Sequence, residues 1–175
     1  MATVMPDGNI HPALPTDLSR APREMWPTMY DLPSEELNEP GLPDEFHLFQ
    51  AQLLRETFQP ATYPPAQVFV GSDLFLYYSL QHTTWYKRSD WFAALGVSRL
   101  YEGHDLRLSY VVWQEAAPPY LVVELLSPGT EQEDRGKTVR EAGEQPTKWM
   151  VYEQILKAPY YVVFNRYTDD LHYFQ

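Results

Sequence analysis

Residues 120–126 read Tyr-Leu-Val-Val-Glu-Leu-Leu and run straight into Ser127-Pro128-Gly129. Such a β-branched, apolar run with an abrupt proline–glycine stop is the pattern of a buried strand. On a strand, Val122, Glu124 and Leu126 share one face, and Leu121, Val123 and Leu125 share the other. Glu124 therefore points into covered space. An unpaired buried charge is costly, so its carboxylate requires a metal, a basic partner or a water-filled cleft.

The rest of the chain predicts what surrounds this strand. Asp44 can cap a helix with Glu45 in its first turn, and Phe46, Phe49, Leu53, Leu54 and Phe58 recur at helical spacing up to Pro60. Residues 68–78 alternate as strands, with a break or bulge expected at Gly71-Ser72-Asp73. Strands are predicted over 89–97, 106–113, 120–126, 159–166 and 170–175, the last at an edge. Residues 130–148 are polar and open a helix or long loop. Residues 147–157 read as a helix with Trp149, Tyr152, Ile155 and Leu156 as its stripe. The order helix, strands, helix, strands gives an α/β fold: a mixed β-sheet flanked by helices.

Residues 1–43 hold eight of the sixteen prolines and few periodic apolar residues. They read as an extended, acidic, Pro-rich N-terminal arm, with Met25, Trp26, Met29 and Tyr30 available to dock on the domain at 44–175. Residues 1–45 carry nine acids and two bases, so −7 of the net charge of −11 lies there. The remaining −4 is still not the profile of an avid nucleic-acid binder. No cysteine is present, which excludes disulfides and thiolate metal sites and suits a reducing cytoplasm. No apolar stretch is long enough to span a membrane, and no signal peptide is expected.

A second acid has a setting like that of Glu124. Asp90 precedes the apolar Trp91-Phe92-Ala93-Ala94-Leu95. Two carboxylates from neighbouring strand ends can share one hard divalent cation through oxygen. Such an ion polarises a phosphodiester oxygen, and a nearby lysine stabilises the charge that develops there.

Taken with its context, "YLVVELLSPGTEQED" resembles the strand-and-turn signature of the PD-(D/E)XK restriction-endonuclease-like superfamily, in the branch abundant in cyanobacteria. The likeness extends over "FHLFQAQLLRETFQP", "VFVGSDLFLYYS", "KRSDWFAALGV" and "KWMVYEQILKAPYYVVFNRYT", roughly residues 44–175. It implies a restriction-endonuclease-like core. It also implies a metal site of magnesium or manganese on Asp90, Glu124 and the Leu125 carbonyl, and DNA as the substrate. The lysine of the parent motif would fall at Leu126; in this branch it moves to Lys-x-x-x-Tyr, here Lys148 and Tyr152. Lys137 is the alternative. Ser89 stands where the family usually has proline, and Glu56 is the candidate for a first-helix acid.

Plainer readings exist for each residue. Glu124 can pair with Arg135 or Arg140, Asp90 can be a turn residue, and Lys148 a solvated lysine. Asp105, Glu115 and Asp134 read as loop charges, and no two of His47, His82 and His104 have metal-ligand spacing. Two functions follow: a metal-dependent endonuclease, or a catalytically inactive module of the same fold for protein interaction or dimerisation. A homodimer, or a protein partner bound through the arm, would fit the second and would supply the first with a missing basic groove.

Overall fold

The computed structural model describes residues 22, 26–29, 31–32, 44–127, 131–141 and 143–175. Of the arm's docking residues, Met25 and Tyr30 lie outside this set, and Trp26 and Met29 are exposed.

Helix α1 spans Glu45–Thr57. Asp44 caps it by accepting the His47 amide at 2.9 Å. Its inward face is Phe46, Ala51, Leu54 and Phe58, packed on Trp91, Ala93, Val123 and Leu125 of the sheet. Phe49 and Leu53, expected in that stripe, are exposed instead.

The six-stranded sheet comprises β1 (Val68–Tyr77), β2 (Tyr86–Leu95), β3 (Tyr110–Val111), β4 (Leu121–Leu125), β5 (Tyr160–Asn165) and β6 (Asp170–Phe174), in the order β3-β1-β2-β4-β5-β6. β1–β2, β2–β4 and β5–β6 are antiparallel; β1–β3 and β4–β5 are parallel. The parallel step from β4 to β5 requires a crossover. It contains the short helix α2 (Glu131–Asp134) and a π-helical segment over Met150–Ile155. The second face of the sheet packs under that segment, with Phe92, Val122, Leu126, Val151, Tyr152 and Tyr161 in one cluster. The predicted mixed α/β sheet is therefore the observed one.

Two local expectations are corrected. Residues 106–113 form only the two-residue β3 followed by a helical turn over Val112–Glu115. The apolar Leu106 and Leu108 face solvent at 71% and 95% exposure, while Arg107 turns inward. Its guanidinium is fixed by Glu115 at 2.7 and 3.0 Å and by the carbonyls of Ser98 and Arg99, which ties this stretch to a loop rather than to a ladder. Glu115 is accordingly a buried ion-pair partner, not a loop charge.

At Asp73 no residue is inserted. Pairing runs Ser72↔Trp91 and resumes at Leu74↔Ser89 in the same register. Asp73 takes φ +52°, in the left-handed region. Phe69 and Leu76 pack into the same cluster although strict alternation would put residues seven apart on opposite faces. The kink turns β1 over instead of bulging it, and the Asp73 carboxylate is held by Arg88.

Just before the kink, Gly71 makes room for the Phe92 ring. A Cβ there would lie 2.6 Å from Phe92 Cε1, and Phe92 is fully buried. Gly71→Ala should cost about 1–3 kcal/mol through overpacking. Thermal unfolding followed by circular dichroism should show a fall of roughly 3–10 °C.

Candidate active site

β2 and β4 pair from Ala93↔Leu121 to Trp91↔Val123, and the next rung would set Asp90 opposite Glu124. There the two strands bond through carboxylates. The Leu125 N–H donates to Asp90 Oδ2 at 2.6 Å, and the Asp90 N–H approaches Glu124 Oε2 at 3.5 Å. Asp90 is thus a cross-strand residue rather than a turn residue.

Glu124 is completely buried. The Lys148 ammonium donates to its Oε2 at 2.9 Å, and the Tyr152 hydroxyl to its Oε1 at 3.0 Å. Lys148 and Tyr152 are four residues apart, so one helical face delivers both. Neither arginine considered for Glu124 reaches it: Arg135 pairs with Glu131 and Arg140 with Glu133. Lys137 is exposed and makes no ion pair with Asp90, Glu124 or Asp134.

Asp134 corrects a reading. It is fully buried, not a loop charge, and its Oδ1 lies 3.0 Å from Lys148 Nζ. The Tyr161 hydroxyl fixes the same turn by donating to the Asp134 carbonyl at 2.8 Å. Beside it, the buried Lys87 pairs with Glu133 at 2.7 Å, and Arg140 joins at 2.9 Å. Burial opposes the charge on Glu133, but Lys87 and Arg140 hold its carboxyl below the usual range.

His47, assigned no role from histidine spacing, reaches the same strand end. Its Nδ1 lies 2.7 Å from Asp44 Oδ1 and its Nε2 lies 3.0 Å from the Leu125 carbonyl. Both ring nitrogens face acceptors, which only the doubly protonated ring satisfies. Burial disfavours that charge, but the bonds to Asp44 and Leu125 and the field of Asp90 raise the ring above the ordinary histidine range. The readable signal is Asp44-x-x-His47: the residue whose amide donates to the cap also turns its ring back onto the cap carboxylate. Glu56 lies nine residues further along the helix, about 13 Å away at 1.5 Å per residue, and bonds Gln52 at 3.1 Å.

The electrostatics are unbalanced. Asp90, Glu124 and Asp134 act on one another's neighbourhood with a single ammonium between them. Burial drives the Glu124 carboxyl well above its ordinary value; Lys148 opposes this, and Asp90 and Asp134 add to it. Burial also disfavours the Lys148 charge, but Glu124, Asp134 and Asp90 outweigh it and hold the ammonium well above the usual lysine range. Three carboxylates thus converge around one lysine, a cluster of the kind that a hard divalent cation suits. Among the described residues no three acidic or histidine side chains form a metal cage. The fitting donor set is smaller: Asp90, Glu124 and the Leu125 carbonyl, all hard oxygens, as suits an ion that keeps several waters.

Among the described residues no helix is long and apolar enough to cross a membrane. No curated protein and no solved structure matches the chain. A family profile does: that of Uma2, described as "Putative restriction endonuclease", over residues 17–175. That match starts upstream of the helix cap at Asp44 and runs through every element described above. With the mixed six-stranded sheet, it places the chain in the Uma2 family of restriction-endonuclease-like proteins.

Proposed function

We propose that this chain is an endonuclease that hydrolyses phosphodiester bonds of DNA with the help of magnesium or manganese. One observation carries the reading: the fully buried Glu124 stands on the rung beside Asp90 and shares Lys148 with a second buried acid, Asp134, so that three carboxylates converge on one ammonium at a strand end. Membership of the family supports nuclease-like chemistry.

Asp90, Glu124 and the Leu125 carbonyl would hold the metal. Bound there, it would polarise the scissile phosphate and acidify an attacking water. In the hydrolysis itself a water oxygen would form a P–O bond as the P–O bond to the departing sugar breaks, and a proton from the water would end on the leaving oxygen. Lys148 is kept charged by its acids, so it serves as a cation facing the charge developing on phosphate rather than as a base. Tyr152 fixes the Glu124 rotamer, and His47 holds the Leu125 carbonyl in place while leaving its second lone pair open.

The test is nicking of supercoiled plasmid and cleavage of single-stranded DNA with manganese or magnesium. Asp90→Asn should lower the rate about 100-fold or more, the scale of one lost electrostatic contact to the transition state. An unchanged rate would remove Asp90 from the site. A second reading, an inactive interaction module, draws on the fact that both Glu124 oxygens already have protein partners. No cleavage of any DNA or RNA by the wild type would favour it.

A further inference from the structure

An acidic nuclease needs somewhere to hold its polyanionic substrate, and one cavity supplies the missing charge. It encloses about 760 Å³ beside the N-terminal part of β1. β3 pairs with β1 only at Leu76 and Tyr77, so among the described residues Val68–Leu74 has no neighbouring strand on that side, and the cavity lies along this edge. Two arginines, Arg55 in the last turn of α1 and Arg99 in the loop after β2, line it. Neither guanidinium has an ion-pair or hydrogen-bond partner among the described residues. The third lining arginine, Arg107, is different: Glu115 neutralises it, and it stacks over Phe69 at 4.4 Å as part of the wall. The one lining acid, Glu56, is held by Gln52. Phe58 and Tyr63 add aromatic surface.

β1 alone separates the cavity from the strand that carries Asp90. Ser72 and Leu74 line it, and they flank position 73, which the β1–β2 register sets beside Asp90.

We infer that this cavity is a subsite for the single-stranded nucleic acid flanking the scissile phosphate. Arg55 and Arg99 take two phosphates, and the exposed Tyr63 takes a base. The inference rests on the nuclease reading for its substrate but not for its test.

The test measures binding of a short fluorescent oligothymidine to the full chain by anisotropy, with EDTA present and across a salt series. Each phosphate contact to a single strand contributes about 0.7 to the slope of log affinity against log salt. Arg55→Ala with Arg99→Ala should lower that slope by about 1.4 and weaken binding at low salt about tenfold. Lys157→Gln removes one exposed charge elsewhere and should leave both nearly unchanged. An unchanged slope in the double variant, or equal effects from Lys157→Gln, overturns the subsite. So does binding of polyglutamate but not of the oligonucleotide, which would make the cavity a peptide site. Cleavage is not the readout. Arginine-dependent binding by a chain that cuts nothing would refute the nuclease reading while the subsite stands.

Discussion

Lys148→Met should abolish cleavage and lower the thermal midpoint by about 10 °C. The lysine ammonium contacts two fully buried carboxylates, Glu124 at 2.9 Å and Asp134 at 3.0 Å. Removing one partner of a buried pair leaves the other charge uncompensated, at about 3–5 kcal/mol. For a chain of this size each kcal/mol is worth roughly 2–4 °C. The loss should shrink in acid, because protonation is the cheapest relief open to the stranded acids. Urea titrations at pH 5 and pH 8 would show this as a smaller difference between variant and wild type at pH 5. A structural lysine would give the same stability result, so a second variant separates the roles. Lys148→Met combined with Asp134→Asn, which leaves the proposed metal ligands intact, removes one of the stranded charges and should recover about half of the lost stability without recovering cleavage. Recovery of cleavage along with stability would make Lys148 a structural residue only.

The legible part of this site was the part whose signal is local. Glu124 stands out because six apolar neighbours surround it, and Lys148 with Tyr152 stands out because their spacing matches one helical face. Asp134 was illegible for the opposite reason. It sits in a stretch of charged residues, Glu131 to Lys137, where composition predicts exposure. Its burial is imposed by Lys148, fourteen residues on, and by the Tyr161 hydroxyl from β5. His47 was missed because its partners are a preceding cap and a backbone carbonyl, neither of which leaves a histidine pattern. The same logic explains the error at residues 106–113. Alternation there is genuine, but Arg107 finds four acceptors inside, which outweighs the exposure of Leu106 and Leu108. At Asp73 the sequence signalled an irregularity and could not distinguish a bulge from a turned-over strand, because both begin with a residue that tolerates positive φ.

Glu124→Gln should cut the cleavage rate about 1,000-fold or more and yet make the metal-free protein more stable. Glutamine keeps the shape, still accepts from Tyr152, and leaves Lys148 with Asp134. It removes the charge whose burial drives the wild-type carboxyl well above its ordinary value of 4.5. The sign follows from linkage: a group with a raised folded-state pKa contributes stability that is fully present below its unfolded value and is lost as pH rises through the folded value. The wild type therefore weakens relative to the variant above about pH 4.5. Thermal midpoints should coincide near pH 4 and diverge toward pH 8, with the variant ahead by about 2–5 °C. Adding manganese should reverse the order, because an ion bound only to the folded wild type raises its midpoint by mass action. A variant less stable than the wild type at every pH without metal would mean that Lys148 and Tyr152 already compensate the Glu124 charge. The buried site would then have no electrostatic need for a cation.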